Sequence, residues 1–128
     1  MTRDTIGLAL ALLELAATAL GGLVHGPREL RQATTTPTLV LAALETVYGV
    51  LSPVAAFGLV RRHRWTMPVV VVWVAACTGA ATFASWYYAE PGRRAANAVP
   101  AGVATLIVTG FVVWMARRRQ RDASAPLA

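Results

Sequence analysis

The chain has 128 residues, 56% of them hydrophobic and 14% charged, with a formal net charge of +6 and a mean hydropathy of +0.54. That is too apolar for an ordinary soluble domain of this size; runs of ~20 apolar residues, each long enough to cross ~30 Å of hydrocarbon, nearly exhaust the length and leave no room for a soluble catalytic domain. The positive charge is all arginine and is scattered between apolar runs without a basic stripe or base-stacking platform, which argues against nucleic acid and for anchoring in a lipid bilayer.

The first apolar run covers about residues 5–25. Arg3, the run itself and the small residues Ala17 to Ala19 have the layout of a cleavable leader, but Glu14 interrupts the apolar core, so the run is expected to remain as a helix. Gly7, Ala11, Glu14, Thr18, Gly21 and His25 advance by steps of three and four and form one small, polar stripe. Glu14 is therefore expected to face protein. A link, "HGPRELRQATTTP", leads to the second run, about 38–60, where Ala42, Glu45, Gly49, Ser52 and Ala56 repeat the pattern and Leu39, Leu41, Val47 and Val54 are left for lipid. Pro53 predicts a kink there.

After "RRHRW" comes the third run, about 66–88, with Pro68 in its first turn and the small face Ala75, Gly79, Thr82 and Ser85. Cys77 lies alone inside it, so neither an intramolecular disulfide nor a thiolate metal site is expected, and a packing role is the reading for this thiol. "AEPGRRAANAVP" then leads to a fourth run, about 98–116, with Pro100 read into its first turn and Gly102, Thr105 and Thr109 on one face. The basic tail, 117–128, has arginines that attract anionic lipid and a frayed end.

Hydrocarbon tolerates only helices or closed barrels, and short links favour adjacent helices of opposite direction. The expected fold is thus a single all-α integral membrane domain over 1–128, an antiparallel bundle of four transmembrane helices. Four spans put both termini on one side. That side collects Arg3, Arg61, Arg62, Arg64, Arg117, Arg118, Arg119 and Arg121, against Arg28, Arg31, Arg93 and Arg94 on the other, so the termini are expected in the cytoplasm. Trp65 and Trp114 then fall at the inner boundary, and Trp86, Tyr87 and Tyr88 at the outer one.

Within the spans the chemistry concentrates on Glu14 and Glu45. Counted from the outer helix ends, they differ in depth by only ~5 Å, and they are expected to face each other across an internal seam. No span holds an arginine or lysine to neutralise them, so at least one carboxyl is expected to be uncharged at neutral pH. Two readings follow: a neutral carboxyl that bonds Tyr48, Ser52 or a threonine and fixes helix register, or a polar pocket of Glu14, Glu45, Tyr48 and Ser52 that binds a lipophilic ligand or exchanges protons. His25 and His63 lie at opposite faces of the bilayer, which rules out an intrachain bis-histidine haem. The sequence holds no Ser/His/Asp arrangement, metal-ligand cluster or phosphate loop, so no cofactor is expected from a motif and any chemistry is expected to come from a partner.

"LVHGPREL" and "AALETVYGVLSPVAAFGLVRRHRWTMPVVVV" resemble, over about residues 5–85, the end of the first helix and the second-to-third helix region of DoxX-like proteins. The matching positions are His25, Gly26, Glu45, Gly49, Gly58 and Arg61 or Arg62. Two departures stand out: Glu14 occupies the region where family members often carry an arginine, and Arg28 replaces a usual lysine. The resemblance implies an accessory or structural subunit of a bacterial membrane redox or energy-transducing complex, in contact with a quinone and with other membrane subunits or copies of itself. Small multidrug-resistance transporters are also similar in having four short helices and a carboxylate in the first, which implies proton-coupled transport through Glu14 and Glu45 as the alternative.

Overall fold

The computed structural model describes residues 2–125, and residues 126–128 of the expected frayed end lie outside the described residues. Four helices, α1 (Arg3–Gln32), α2 (Thr36–Arg61), α3 (Thr66–Tyr87) and α4 (Arg94–Ser124), account for nearly all of it, with one 3₁₀ turn at Pro91–Arg93 before α4. Each helix is long and apolar enough to cross a membrane. There is no strand among the described residues.

Local chemistry sets the starts. Thr2 caps α1 by accepting from the Thr5 N–H, and Thr35 caps α2 through a reciprocal box with Thr38. The ends correct several expected boundaries. α1 runs straight through Pro27 to Gln32, seven residues beyond its expected limit. The residue before a proline usually clashes with the proline ring through its Cβ, but here it is Gly26, and its packing against Thr46 holds the turn in place. α2 likewise continues through Pro53. α4 starts at Arg94 and extends to Ser124, so Pro100 sits in its second turn and most of the basic tail is helical. Arginine and glutamine are good helix formers, and this tail has something to hold.

Arg119 Nε donates to Leu59 O at 2.8 Å and Nη2 to Val60 O at 3.3 Å, while Gln120 Nε2 reaches the carbonyls of His63 and Arg64. The Leu59 and Val60 carbonyls are among those a helix end leaves open, while His63 O also accepts the Thr66 N–H at 3.1 Å. Burial, and then the neighbouring Arg62, push the Arg119 guanidinium below its ordinary value. The adjacent Arg118 pairs with Asp4 at 2.7 Å, linking α4 to the start of α1. The turn after α2 is closed by Arg62 in the left-handed region, φ 56° and ψ 36°.

The core is a column of Leu15, Leu59, Val70, Trp73, Val112 and Met115, all fully buried, filled in by Ala11, Ala55 and Ala116. Large apolar side chains on the outside, such as Leu13, Leu20 and Ile107, are two-thirds exposed or more, as lipid-facing residues are. α1 and α2 approach most closely: a Cβ at Gly22 would stand 2.5 Å from the Gly49 Cα, and one at Gly26 would stand 2.6 Å from the Thr46 backbone nitrogen. Small residues permit this backbone contact.

Two expected faces are corrected by this packing. The buried stripe of α1 is Ala11, Leu15, Gly22 and Gly26, whereas Gly21 meets nothing and His25 is exposed. Leu41, expected at the lipid, is only 4% exposed. On α3 the core side is Val70, Trp73, Ala76, Cys77 and Ala80, so Ala75 is exposed and Gly79 lies at the edge of the core, with Leu44 of α2 on one side.

Candidate functional site

A cavity of about 270 Å³ opens among all four helices, lined by Thr18 of α1, Glu45 and Tyr48 of α2, Cys77, Ala80, Ala81 and Ala84 of α3, and Thr105 of α4. Its walls are alanines at helical spacing, which leave the space, and its polar groups come from three different helices. Glu45 Oε2 is buried and has no hydrogen-bond partner. The Tyr48 hydroxyl makes no hydrogen bond among the described residues, while Thr105 spends its hydroxyl hydrogen on Ala101 O at 2.8 Å. Glu45 and Tyr48, one turn apart, are therefore the groups with capacity to spare.

Directly beside the cavity, one hydroxyl ties three helices. Ser52, fully buried, donates to Tyr48 O at 2.6 Å and accepts from Trp73 Nε1 at 2.9 Å. Its remaining lone pair meets the Thr18 hydroxyl at 2.7 Å. One donor and two acceptor sites are all that a serine has. Ser52 thus spends its whole capacity inside the bundle, holding Tyr48, Trp73 and Thr18 in place, and it does not line the cavity.

Glu14 and Glu45 are not brought together as expected. Thr18 meets Ser52, Gly22 meets Gly49 and Gly26 meets Thr46, so moving up α1 means moving down α2. Glu14 is four residues to one side of the Thr18–Ser52 level and Glu45 seven to the other, a separation of roughly 16 Å along the bundle. The depth estimate from helix ends fails because α1 is seven residues longer than the apolar run. Glu14 Oε1 is buried without a partner.

The acid that α1 brings beside Glu45 is Glu29 rather than Glu14, and no hydrogen bond joins the two carboxyls. Glu29 also lines a depression of about 220 Å³ at that end of the bundle, with Gln32, Thr34, Thr38 and Tyr88. The sequence signal for Glu29 was its place on the α1 stripe, three residues beyond Gly26. Reading "HGPREL" as a link hid it.

The remaining motif positions have other settings. Gly26 and Gly49 are packing positions between α1 and α2, and Gly58 makes room for Trp65 and Thr66, which a Cβ would approach within 2.7 Å and 2.5 Å. Arg61 is exposed and lies over the Phe57 ring at 5.8 Å. No group of His, Cys, Asp and Glu able to hold a metal occurs among the described residues. No family model, curated protein or solved structure matches the chain.

Proposed function

We propose that this protein is a small accessory subunit of a bacterial redox or energy-transducing complex in the cytoplasmic membrane, and that its four-helix cavity receives the polar head of a lipophilic ligand of the quinone class. The observation that carries this reading is the cavity itself: a space near the ~300 Å³ lower bound of small-molecule sites, apolar in its walls, with the unpartnered Glu45 carboxyl and the free Tyr48 hydroxyl side by side. A hydroxyl donor and a carboxyl that can carry a proton suit a ligand carbonyl that is hydrogen-bonded when oxidised and protonated when reduced. Electrons come from a partner subunit, since this chain offers no redox group of its own by motif. The DoxX-like resemblance points the same way. Antiparallel helices with cytoplasmic termini are supported by the opposed register of α1 and α2 and by eight arginines on one side against four on the other.

Purification of the full chain in nanodiscs, followed by mass spectrometry of bound subunits and extracted lipophiles, tests the reading. Redox subunits and about one quinone per chain are expected, with the quinone lost in Glu45→Gln and Tyr48→Phe. A homo-oligomer without quinone sinks it.

In that event proton-coupled transport is the second reading. The observation favouring it is the placing of two acids in succession, Glu29 in the depression at the bundle end and Glu45 in the cavity. Proton uptake by proteoliposomes that vanishes in Glu45→Gln is its expected signature.

A further inference from the structure

A second, larger hollow lies on the outside of the bundle. It is a groove of about 650 Å³ between α3 and α4, lined along α3 by Val71, Ala75, Gly79, Thr82 and Trp86, with Ala98 and Leu106 on the α4 side. From Val71 to Trp86 it is about 22 Å long, and nothing in its lining is charged. This is where the outward small-residue face of α3 goes: Ala75 and Gly79 form the floor of a channel that no helix of this chain fills.

The groove has a charged end. Arg94 lies over the Trp86 ring, 4.4 Å from its centroid, so its guanidinium stands where the groove meets the α3–α4 turn. Arg94 Nε is buried and has no hydrogen-bond acceptor. Among the described residues the only ion pair is Arg118 with Asp4, so neither Arg94 nor the adjacent Arg93 is neutralised, and Glu90, the nearest acid in sequence, pairs with neither. α4 begins at this point without a side-chain cap and without an acid in its first turn. Both features leave positive charge at this end of the groove for an anion to neutralise.

An apolar channel that ends on an unneutralised guanidinium has the chemistry of an amphiphile with a negative head and a hydrocarbon tail. We propose that the α3–α4 groove is a binding site for one anionic glycerophospholipid, with its phosphate on Arg94 and the amino end of α4, and one acyl chain laid along Thr82, Gly79 and Ala75. Arg94 supplies the selectivity for charge and Gly79 the space for the tail. A neutral lipophile fills the channel equally well but leaves Arg94 Nε unpaired, which is why the anionic lipid is preferred. The site is separate from the Glu45 cavity and does not depend on what that cavity binds.

The test is native mass spectrometry of the full chain in mild detergent, titrated with phosphatidylglycerol and with phosphatidylcholine of the same acyl chains. One retained phosphatidylglycerol per chain is expected, bound about fivefold more tightly than phosphatidylcholine, which corresponds to the ~1 kcal/mol of one arginine at an anionic surface. Arg94→Gln is expected to bring the two lipids level. Gly79→Leu is expected to weaken both, because an added Cβ there meets only the Leu44 side chain at 3.7 Å and the larger side chain has only the channel to occupy. Ala75→Leu gives the same reading should Gly79→Leu fail to fold. Equal binding of the two lipids to the wild type overturns the proposal, as does a preference that survives Arg94→Gln. So does displacement of the lipid by a second copy of the chain or, equally in wild type and Arg94→Gln, by a neutral isoprenoid quinone.

Discussion

Ser52 joins α1, α2 and α3 through one oxygen atom, and its removal should be felt at all three. In Ser52→Ala the indole N–H of Trp73, which is fully buried, loses its acceptor, and an unsatisfied buried donor costs ~1–3 kcal/mol. A lower thermal midpoint, read from tryptophan fluorescence in detergent, is the expected outcome, and an unchanged midpoint means water has replaced the hydroxyl. Arg62 offers the opposite sign. It holds φ 56°, a conformation that costs an L-residue with a Cβ roughly 1–2 kcal/mol, and its role in closing the helix is a backbone N–H to Gly58 O. Arg62→Gly keeps that bond and should raise the midpoint in the same melt. The sequence marks Ser52 as inward-facing because the α2 stripe has a regular period. What stood opposite was hidden, because Trp73 in "VVVVWVAAC" reads as one more apolar residue and nothing local reveals where its N–H will end.

At the scale of helices, α1 and α2 are matched by absent side chains. Gly22→Ala drives a Cβ to within 2.5 Å of both Glu45 O and the Gly49 Cα, whereas Gly21→Ala meets nothing within 4 Å. Overpacking of this kind typically costs 1–3 kcal/mol, at the order-of-magnitude level, while an open position stays within about 0.5 kcal/mol. Paired thermal melts of Gly22→Ala and Gly21→Ala should therefore separate two adjacent glycines. Similar losses in both would show that α1 rotates freely against α2. Hydropathy makes the four helices legible and period makes most of the α2 face legible. It does not choose between Gly21 and Gly22, since both fit steps of three and four, and it does not show that α1 passes Pro27. Both depend on α2 standing alongside. The α3 face misleads for a related reason: small residues permit close approach, but whether a helix or a lipid takes up the offer is decided by the whole bundle.

For the whole molecule, the arrangement of arginines predicts a labelling pattern. On a Cys77→Ala background, a membrane-impermeant maleimide added to intact cells should modify Arg93→Cys and spare Arg121→Cys, with the reverse in inverted vesicles; labelling of both from one side refutes cytoplasmic termini. The seal at the arginine-rich end adds a consequence in time. The carbonyls of Leu59, Val60 and Arg64 receive their side-chain donors from Arg119 and Gln120, 56 to 60 residues later in the chain. At synthesis rates of ~5–20 residues per second, the interval is roughly 3–12 s. For that period the hairpin of α2 and α3 must rest on water or lipid headgroups at its turn. A helix made after both members of the pair is thus the one that locks them, and the α2–α3 turn is complete only when the far end of α4 arrives.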